Sequence, residues 1–170
     1  MRLLTKEYPN AAAVSTEIIN LRAICCLPKG TEYFFSDPHG EAEAFGYLLN
    51  TASGVIRDKI EGLFARSDPL AQREELSLLI TQPDTVLAGR RETPDFDDWC
   101  RISIYRLVQV CRQLASKYTR SKVRKMMPAQ FSYILDELLH ADTEENKEEY
   151  YAGIIDFIVG TGIAEGFITE

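Results

Sequence analysis

Two residues in the stretch 36–41, SDPHGE, have the types and spacing for metal chemistry: Asp37 and His39. Side chains two apart in an extended chain point to the same side, and Pro38 disfavours the helical region for the residue before it. The carboxylate and the imidazole would then face one divalent metal, each at about 2.0 to 2.2 Å. The pattern predicts two ligands of a metal site.

The residues after this pair would favour an anionic substrate. Gly40 allows the backbone to turn, and a helix starting at Glu41 would direct its positive dipole end at the site. Glu41 is also a candidate hydrogen-bond partner for His39, although a carboxylate in a first helical turn is the simpler interpretation. The alternative to a metal site is that Asp37 caps the turn and His39 is an ordinary polar residue at a strand end.

The segment 112–125 is rich in basic residues and has no acidic one. Arginine forks match phosphate oxygens, so Arg120, Lys122 and Arg124 are candidate substrate-binding residues. The alternative is a solvated helix end, where basic side chains offset the helix dipole.

Aromatic residues and the second histidine have simpler interpretations. Phe96, Trp99 and Tyr105 could line a sugar site, but we expect them to pack a long helix against its neighbours. His140 is expected to interact with the last carbonyls of a helix rather than to bind metal.

One segment has the composition of a strand. Residues 31–37, from Thr31 to Asp37, contain three consecutive aromatics between Gly30 and Pro38. A lone strand leaves its backbone groups unpaired, so pairing with a second copy, and hence a homodimer, is plausible.

Most of the remaining chain has helical periodicity. It predicts helices starting near 15, 41, 53, 69, 96, 128 and 142, with 83–94 as a loop. The 41–50 helix should direct Phe45, Leu48 and Leu49 inward. The predicted fold class is mainly α, a helical bundle-like chain with one main strand. Its two parts would be 1–40, with the first helix, the strand and the metal motif, and 41–170, a helical region.

Composition narrows the classes of function. The 170 residues are 45% hydrophobic and 26% charged, which suits one globular domain. A net charge of −7 argues against nucleic acid as a general partner. We find no apolar run long enough for a membrane span and no secretory signal, so we expect a cytoplasmic protein. The four cysteines lack metal-site spacing and are expected to be buried free thiols.

Longer strings extend the metal motif into a family resemblance. They resemble class III (Firmicutes-type) fructose-1,6-bisphosphatases, within the calcineurin-like metallophosphatase superfamily. The strings are 15–21 (STEIINL), 27–32 (LPKGTE), 36–41 (SDPHGE), 52–56 (ASGVI) and 117–125 (KYTRSKVRK). Such strings are far more specific than Asp-x-His, and together they extend along nearly the whole chain.

The resemblance implies an enzyme. Such proteins have a two-sheet α/β sandwich fold, hold two divalent metals, depend on manganese, and hydrolyse the 1-phosphate of fructose 1,6-bisphosphate to fructose 6-phosphate in gluconeogenesis. In related metallophosphatases the Asp and His of the first motif bind one metal. Asp37 and His39 take those positions here.

The sequence also departs from the family pattern. The later Gly-Asp and Asn-His motifs and two further histidines are missing, since His39 and His140 are its only histidines. Family members are several times longer, so we expect this chain to be an N-terminal segment that stops before the second motif. No catalytic set is complete in it, and alone it should be inactive and without bound Mn²⁺. The alternative is a non-catalytic helical interaction or regulatory module.

Overall fold

The computed structural model describes residues 2–30, 32–140 and 147–170. Within these ranges the protein contains α-helices and one 3-10 turn, and no strand. The mainly α prediction is therefore confirmed. The helices are α1 (Arg2–Glu7), α2 (Ala11–Cys25), α3 (Ala42–Thr51), α4 (Val55–Phe64), α5 (Leu70–Thr81), α6 (Pro83–Arg90), α7 (Phe96–Ala115), α8 (Arg120–Met126), α9 (Ser132–His140), α10 (Glu148–Gly160) and α11 (Ala164–Thr169), and the 3-10 turn is Ala52–Gly54.

Helix α7 is the centre of the core. It contacts α4, α5, α9, α10 and α11. Cys100 and Ile104 are fully buried on its apolar stripe, followed by Val108 one turn later. This is the stripe predicted from three- and four-residue spacing, and the helix starts at Phe96 as predicted. It ends at Ala115, three residues before the predicted Tyr118.

Amphipathic helices pack against α7 and complete the core. On α4, Ile60 and Phe64 are buried, as the periodicity predicted. On α9, Leu138 is buried, and Phe131 just before the helix packs edge-on against Phe167 of α11 at 5.2 Å. The predicted cap of the following helix, Asp142 or Thr143, lies outside the described residues.

The segment 83–94 was predicted as a loop, and that prediction was wrong. Helix α6 begins at Pro83, a position where the missing N–H of proline costs nothing because first-turn donors have no intrahelical partner. Val86 and Leu87 of this helix are buried against the core. Proline at both ends of the segment 83–94 and Gly89 within it favoured a loop in the sequence pattern, although the segment contains a short buried helix.

The N-terminal segment, residues 2–51, packs differently. Helix α2 starts four residues before the predicted Ser15, because the Asn10 side chain caps it by accepting from Ala13 N at 2.9 Å. No residue of α2 or α3 is buried. The bounds of α3 match the prediction within one residue, but its apolar side chains face solvent. Phe45, Leu48 and Leu49 are 37, 37 and 57% exposed, so the inward orientation predicted for them was wrong.

The predicted strand from Thr31 to Asp37 is absent where the structure describes it. Residues 32–37 adopt neither helix nor strand, and Thr31 lies outside the described residues. Aromatic residues favour a strand only when a neighbouring strand pairs with it, and the described part of the chain contains none.

The cysteines are free, as expected, but mostly not buried. Cys100 is fully buried, and burial raises the pKa of its thiol to about 11. Cys25 and Cys26 are exposed at the end of α2, which contradicts the prediction, because no residue of that helix is buried against the described part of the protein. Cys111 is exposed as a residue, although burial raises the pKa of its thiol.

Among the helices that the structure describes, none has the length and apolar character needed to cross a membrane.

Candidate functional site

Asp37 and His39 lie in a sharp turn with unusual backbone angles. Asp37 has φ 49°, His39 has φ 50° and Gly40 has φ 76°. In the described part of the chain, Ala52 is the one other non-glycine residue with positive φ. Such conformations cost about 1–3 kcal/mol each and concentrate at functional sites. Asp tolerates this region better than most residues.

The turn leads directly into α3. Glu41 N donates to Pro38 O at 2.9 Å, and Ala42 N donates to Gly40 O at 2.9 Å. Gly40 therefore provides the turn that the sequence predicted. The expectation that Pro38 keeps Asp37 extended was wrong, because a left-handed Asp37 satisfies the same restriction against right-handed helical geometry.

The candidate ligands are open to solvent. Asp37, His39 and Glu41 are all exposed. Within the described ranges, no hydrogen bond or ion pair of these three side chains is present, so Glu41 does not reach His39. No group of three or more His, Cys, Asp or Glu residues in those ranges could hold a metal ion. The turn therefore offers two donors, one carboxylate and one imidazole, without a third.

The basic segment is organised around one carboxylate that the sequence analysis did not single out. Arg124 Nε lies 3.2 and 3.1 Å from the two oxygens of Asp136, and its Nη2 donates to Oδ2 at 2.5 Å. Arg120 Nη2 lies 3.8 Å from the same carboxylate. The hydrogen bond from Arg124 lowers the pKa of Asp136, and the nearby charges act in the same direction. This cluster joins α8 to α9.

His140 completes the cluster from the end of α9. Its Nδ1 lies 3.1 Å from Asp136 Oδ1 and 2.7 Å from the Asp136 carbonyl oxygen. His140 thus contacts a carbonyl in the middle of its own helix, one turn earlier than the last carbonyls that the sequence predicted. The i, i+4 spacing of an acid and a histidine was the sequence signal for this contact.

The remaining basic side chains differ in how free they are. Arg112 donates to the Leu138 carbonyl from Nη2 at 2.6 Å and from Nε at 3.1 Å, which joins α7 to α9. Lys122 Nζ lies 4.5 Å from the centre of the Tyr118 ring. Arg120 is 58% exposed. Arg120, Lys122 and Arg124 are all exposed, and Arg124 differs from the other two because Asp136 holds it through both carboxylate oxygens.

The core packing predicted for the aromatic residues is confirmed for Phe96 and Trp99 and is wrong for Tyr105. Trp99 is 8% exposed, stacks on Phe96 at 6.0 Å, and has the Arg90 guanidinium 5.6 Å above its ring. Tyr105 is 54% exposed and lines a cleft of about 620 Å³ between α7, α9 and α10. Asp37 and His39 do not line this cleft.

Comparisons with known proteins place these features in a family. A family model described as "Firmicute fructose-1,6-bisphosphatase" matches residues 1–170. The chain is 48% identical to a fructose-1,6-bisphosphatase class 3 of Clostridioides difficile (strain 630) over 170 residues, covering 99% of this chain and 26% of that protein. It is 46% identical to that of Clostridium tetani over 172 residues, covering 100% and 26%. For Listeria monocytogenes serotype 4b (strain CLIP80459) the identity is 49% over 173 residues, covering 99% and 26%.

The chain thus spans about a quarter of the length of these curated relatives. No solved structure matches it. The match along the full sequence shows that this chain belongs to the Firmicute fructose-1,6-bisphosphatase family.

Proposed function

We propose that this chain is the part of a metal-dependent fructose-1,6-bisphosphatase that supplies two metal ligands, Asp37 and His39. The reaction is hydrolysis of the 1-phosphate of fructose 1,6-bisphosphate to fructose 6-phosphate, a step of gluconeogenesis in the cytoplasm. The observation that carries the proposal is the family match over residues 1–170. The left-handed, solvent-open turn that contains both ligands supports it.

The donor set fits a divalent metal in its chemistry, because carboxylate oxygen suits hard ions such as Mn²⁺ and imidazole suits several divalent metals. It does not complete a coordination shell, since the described residues offer no third ligand. Bound metals would polarise the phosphoryl oxygens of the substrate. The other ligands would come from the rest of the enzyme, which we propose to be an α/β metallophosphatase sandwich.

The same proposal assigns different roles to the two parts of the chain. Residues 1–40 belong to the phosphatase domain, and 41–170 form a helical region before the other catalytic motifs. The 170-residue chain alone is inactive and does not retain Mn²⁺, because two exposed ligands hold a metal weakly. Arg120, Lys122 and Arg124 would add positive charge toward the sugar bisphosphate. Arg120 and Lys122 would carry more of this role, since Arg124 is neutralised by Asp136.

The test is a chimera in which these 170 residues replace the matching region of the C. difficile relative. We expect Mn²⁺-dependent hydrolysis of fructose 1,6-bisphosphate. Asp37→Asn and His39→Asn should each lower kcat/KM by about 100-fold or more and weaken Mn²⁺ binding measured by calorimetry, since even the partners of metal ligands are worth about 10–100-fold.

The matched controls are the exposed carboxylate Glu43 on α3 and the other histidine, His140. Glu43→Gln and His140→Asn should leave both activity and Mn²⁺ affinity unchanged. Unaltered Mn²⁺ affinity in Asp37→Asn and His39→Asn would contradict the proposed ligands. An inactive chimera with a folded helical region would favour a non-catalytic interaction module instead.

A further inference from the structure

Helix α2 has a surface that no other described part of the protein covers. Over its 15 residues only Glu17 and Arg22 carry charge. Val14, Ile18 and Leu21 recur at helical spacing and are 42, 46 and 52% exposed. A helix with so little charge and so many large apolar residues is normally buried.

The apolar residues of α2 are not confined to one side. At 3.6 residues per turn, Ile19 lies about 140° around the helix from Val14. Ile19 is 69% exposed, and the small residues Ala12 and Ala23 are exposed on the same side. A single helix stripe packing against a single partner helix would leave Ile19 in water. The pattern therefore favours an occupant that surrounds α2 over one that touches a single stripe.

The stretch that follows α2 has the same character. Phe34 is 91% exposed. Phe35 makes an edge-on contact with Phe45 of α3 at 5.6 Å and is still 45% exposed. Among the described residues, no backbone hydrogen bond joins 32–37 to another segment. This stretch and α2 therefore present both apolar side chains and free backbone groups.

We propose that α2 and Phe34 form a docking surface for the remaining polypeptide of the phosphatase. We define this surface, the N-terminal apolar surface, as Val14, Ile18, Ile19, Leu21, Ile24 and Phe34. This inference rests on the proposed function, because its occupant is the part of the enzyme that would supply the missing metal ligands.

Three observations select this occupant over a second copy of the chain. The relatives are about four times as long as the stretch they share with this chain. Besides the stripe through Val14 and Ile18, Ile19 projects from another side of α2, so pairing with one other helix would leave Ile19 uncovered. Asp37 and His39 lie three and five residues after Phe34 and form an incomplete ligand set, so the polypeptide that completes the site must approach this segment.

The exposed thiols at the end of α2 provide a direct probe. A maleimide is used to label Cys25 and Cys26 in the 170-residue chain and in the chimera with the C. difficile relative. Peptide mass spectrometry measures the labelling rate of these two thiols, and we expect it to be at least tenfold slower in the chimera. The matched control is Ser67→Cys, an exposed position after α4, which should label equally in both proteins. The buried Cys100 should resist labelling in both.

Equal labelling of Cys25 and Cys26 in both proteins would overturn the inference, even if the chimera hydrolyses substrate. Slow labelling in a chimera without activity would support the inference while the proposed function fails. Protection of the thiols in the 170-residue chain that rises with protein concentration would identify a second copy as the occupant and overturn the proposal.

If the chimera does not fold, amide hydrogen exchange of the natural C. difficile protein tests the inference instead. Amides aligned with α2 should exchange slowly, and complete exchange within seconds would contradict the inference.

Discussion

The N-terminal segment, residues 2–51, and the helical body, residues 55–140 with 147–170, use apolar residues in opposite ways. Every buried hydrophobic residue that the structure describes lies at or after Ile60. In the N-terminal segment large apolar side chains such as Ile19 and Phe34 face solvent. The body has its own core, whereas the N-terminal segment contains the candidate ligands and lacks one. The difference supports the proposal that polypeptide outside the body covers this segment.

The largest expected effect separates the two regions by a matched truncation. Ile104→Ala removes a fully buried side chain from α7 and should lower the free energy of unfolding by about 2–5 kcal/mol. Ile18→Ala on α2 should change it by less than about 0.5 kcal/mol, because that side chain is 46% exposed and contacts no core. Urea denaturation of the 170-residue chain measures both. Equal losses would show that α2 packs on the body.

An ion pair inside the body gives the next effect. Arg106 Nε lies 2.7 Å from Asp68 Oδ2, and the two side chains are 16 and 15% exposed. Arg106→Met leaves the carboxylate without its charged partner and should destabilise by about 1.5–3 kcal/mol, the range for hydrogen bonds to charged groups. Thermal unfolding measures the loss. The control is Arg91→Met, whose pair with Glu165 is 57 and 35% exposed and whose loss should therefore lower the melting temperature less than Arg106→Met does.

The smallest effect concerns the Asp136 cluster and acid. The hydrogen bond from Arg124 lowers the pKa of Asp136 below its ordinary value of 3.8. A carboxylate with a lowered pKa contributes stability that is fully present above the unfolded-state value. That contribution is lost as the pH falls below about 3.8 toward the folded pKa.

Asp136→Asn should therefore lower the free energy of unfolding by under about 1 kcal/mol at neutral pH, since Arg120 and Arg124 are more than half exposed. The loss should be smaller in acid, where the wild-type carboxylate is protonated as well. Urea titrations at pH 7 and pH 3 measure it. Asp98→Asn, whose carboxylate is 80% exposed, is the control and should lower the free energy of unfolding at pH 7 by less than Asp136→Asn does. If Asp136→Asn lowered the free energy of unfolding equally at both pH values, the cluster would not be an acid-sensitive contact.

The sequence predicted the body better than the N-terminal segment, for a physical reason. Ile60 and Phe64 recur at helical spacing because they share a core with α7, so periodicity found both the helix and its inward face. On α3 the same spacing found the helix but not the orientation of Phe45 and Leu48, because the described residues leave that face largely exposed. Helical periodicity predicts which face of a helix is apolar, and it does not predict which part of the protein packs against that face.

The same reasoning applies to the candidate site. The residue types of Asp37 and His39 and the turn at Gly40 could be predicted from the sequence. The left-handed backbone of both candidate ligands could not, because the restriction imposed by Pro38 allows more than one conformation. Asp136 was missed because its role depends on α8 folding back onto α9, a tertiary contact that leaves only the spacing to His140 in the sequence.

Amide hydrogen exchange of the 170-residue chain, resolved by residue, tests the two-region account most directly. We predict slow exchange through the α7 core around Ile104, at the rate of global unfolding, and exchange of α2 and α3 amides within seconds to minutes. Protection of α2 equal to that of α7 at low protein concentration would contradict the account, because α2 would then be covered without the rest of a phosphatase.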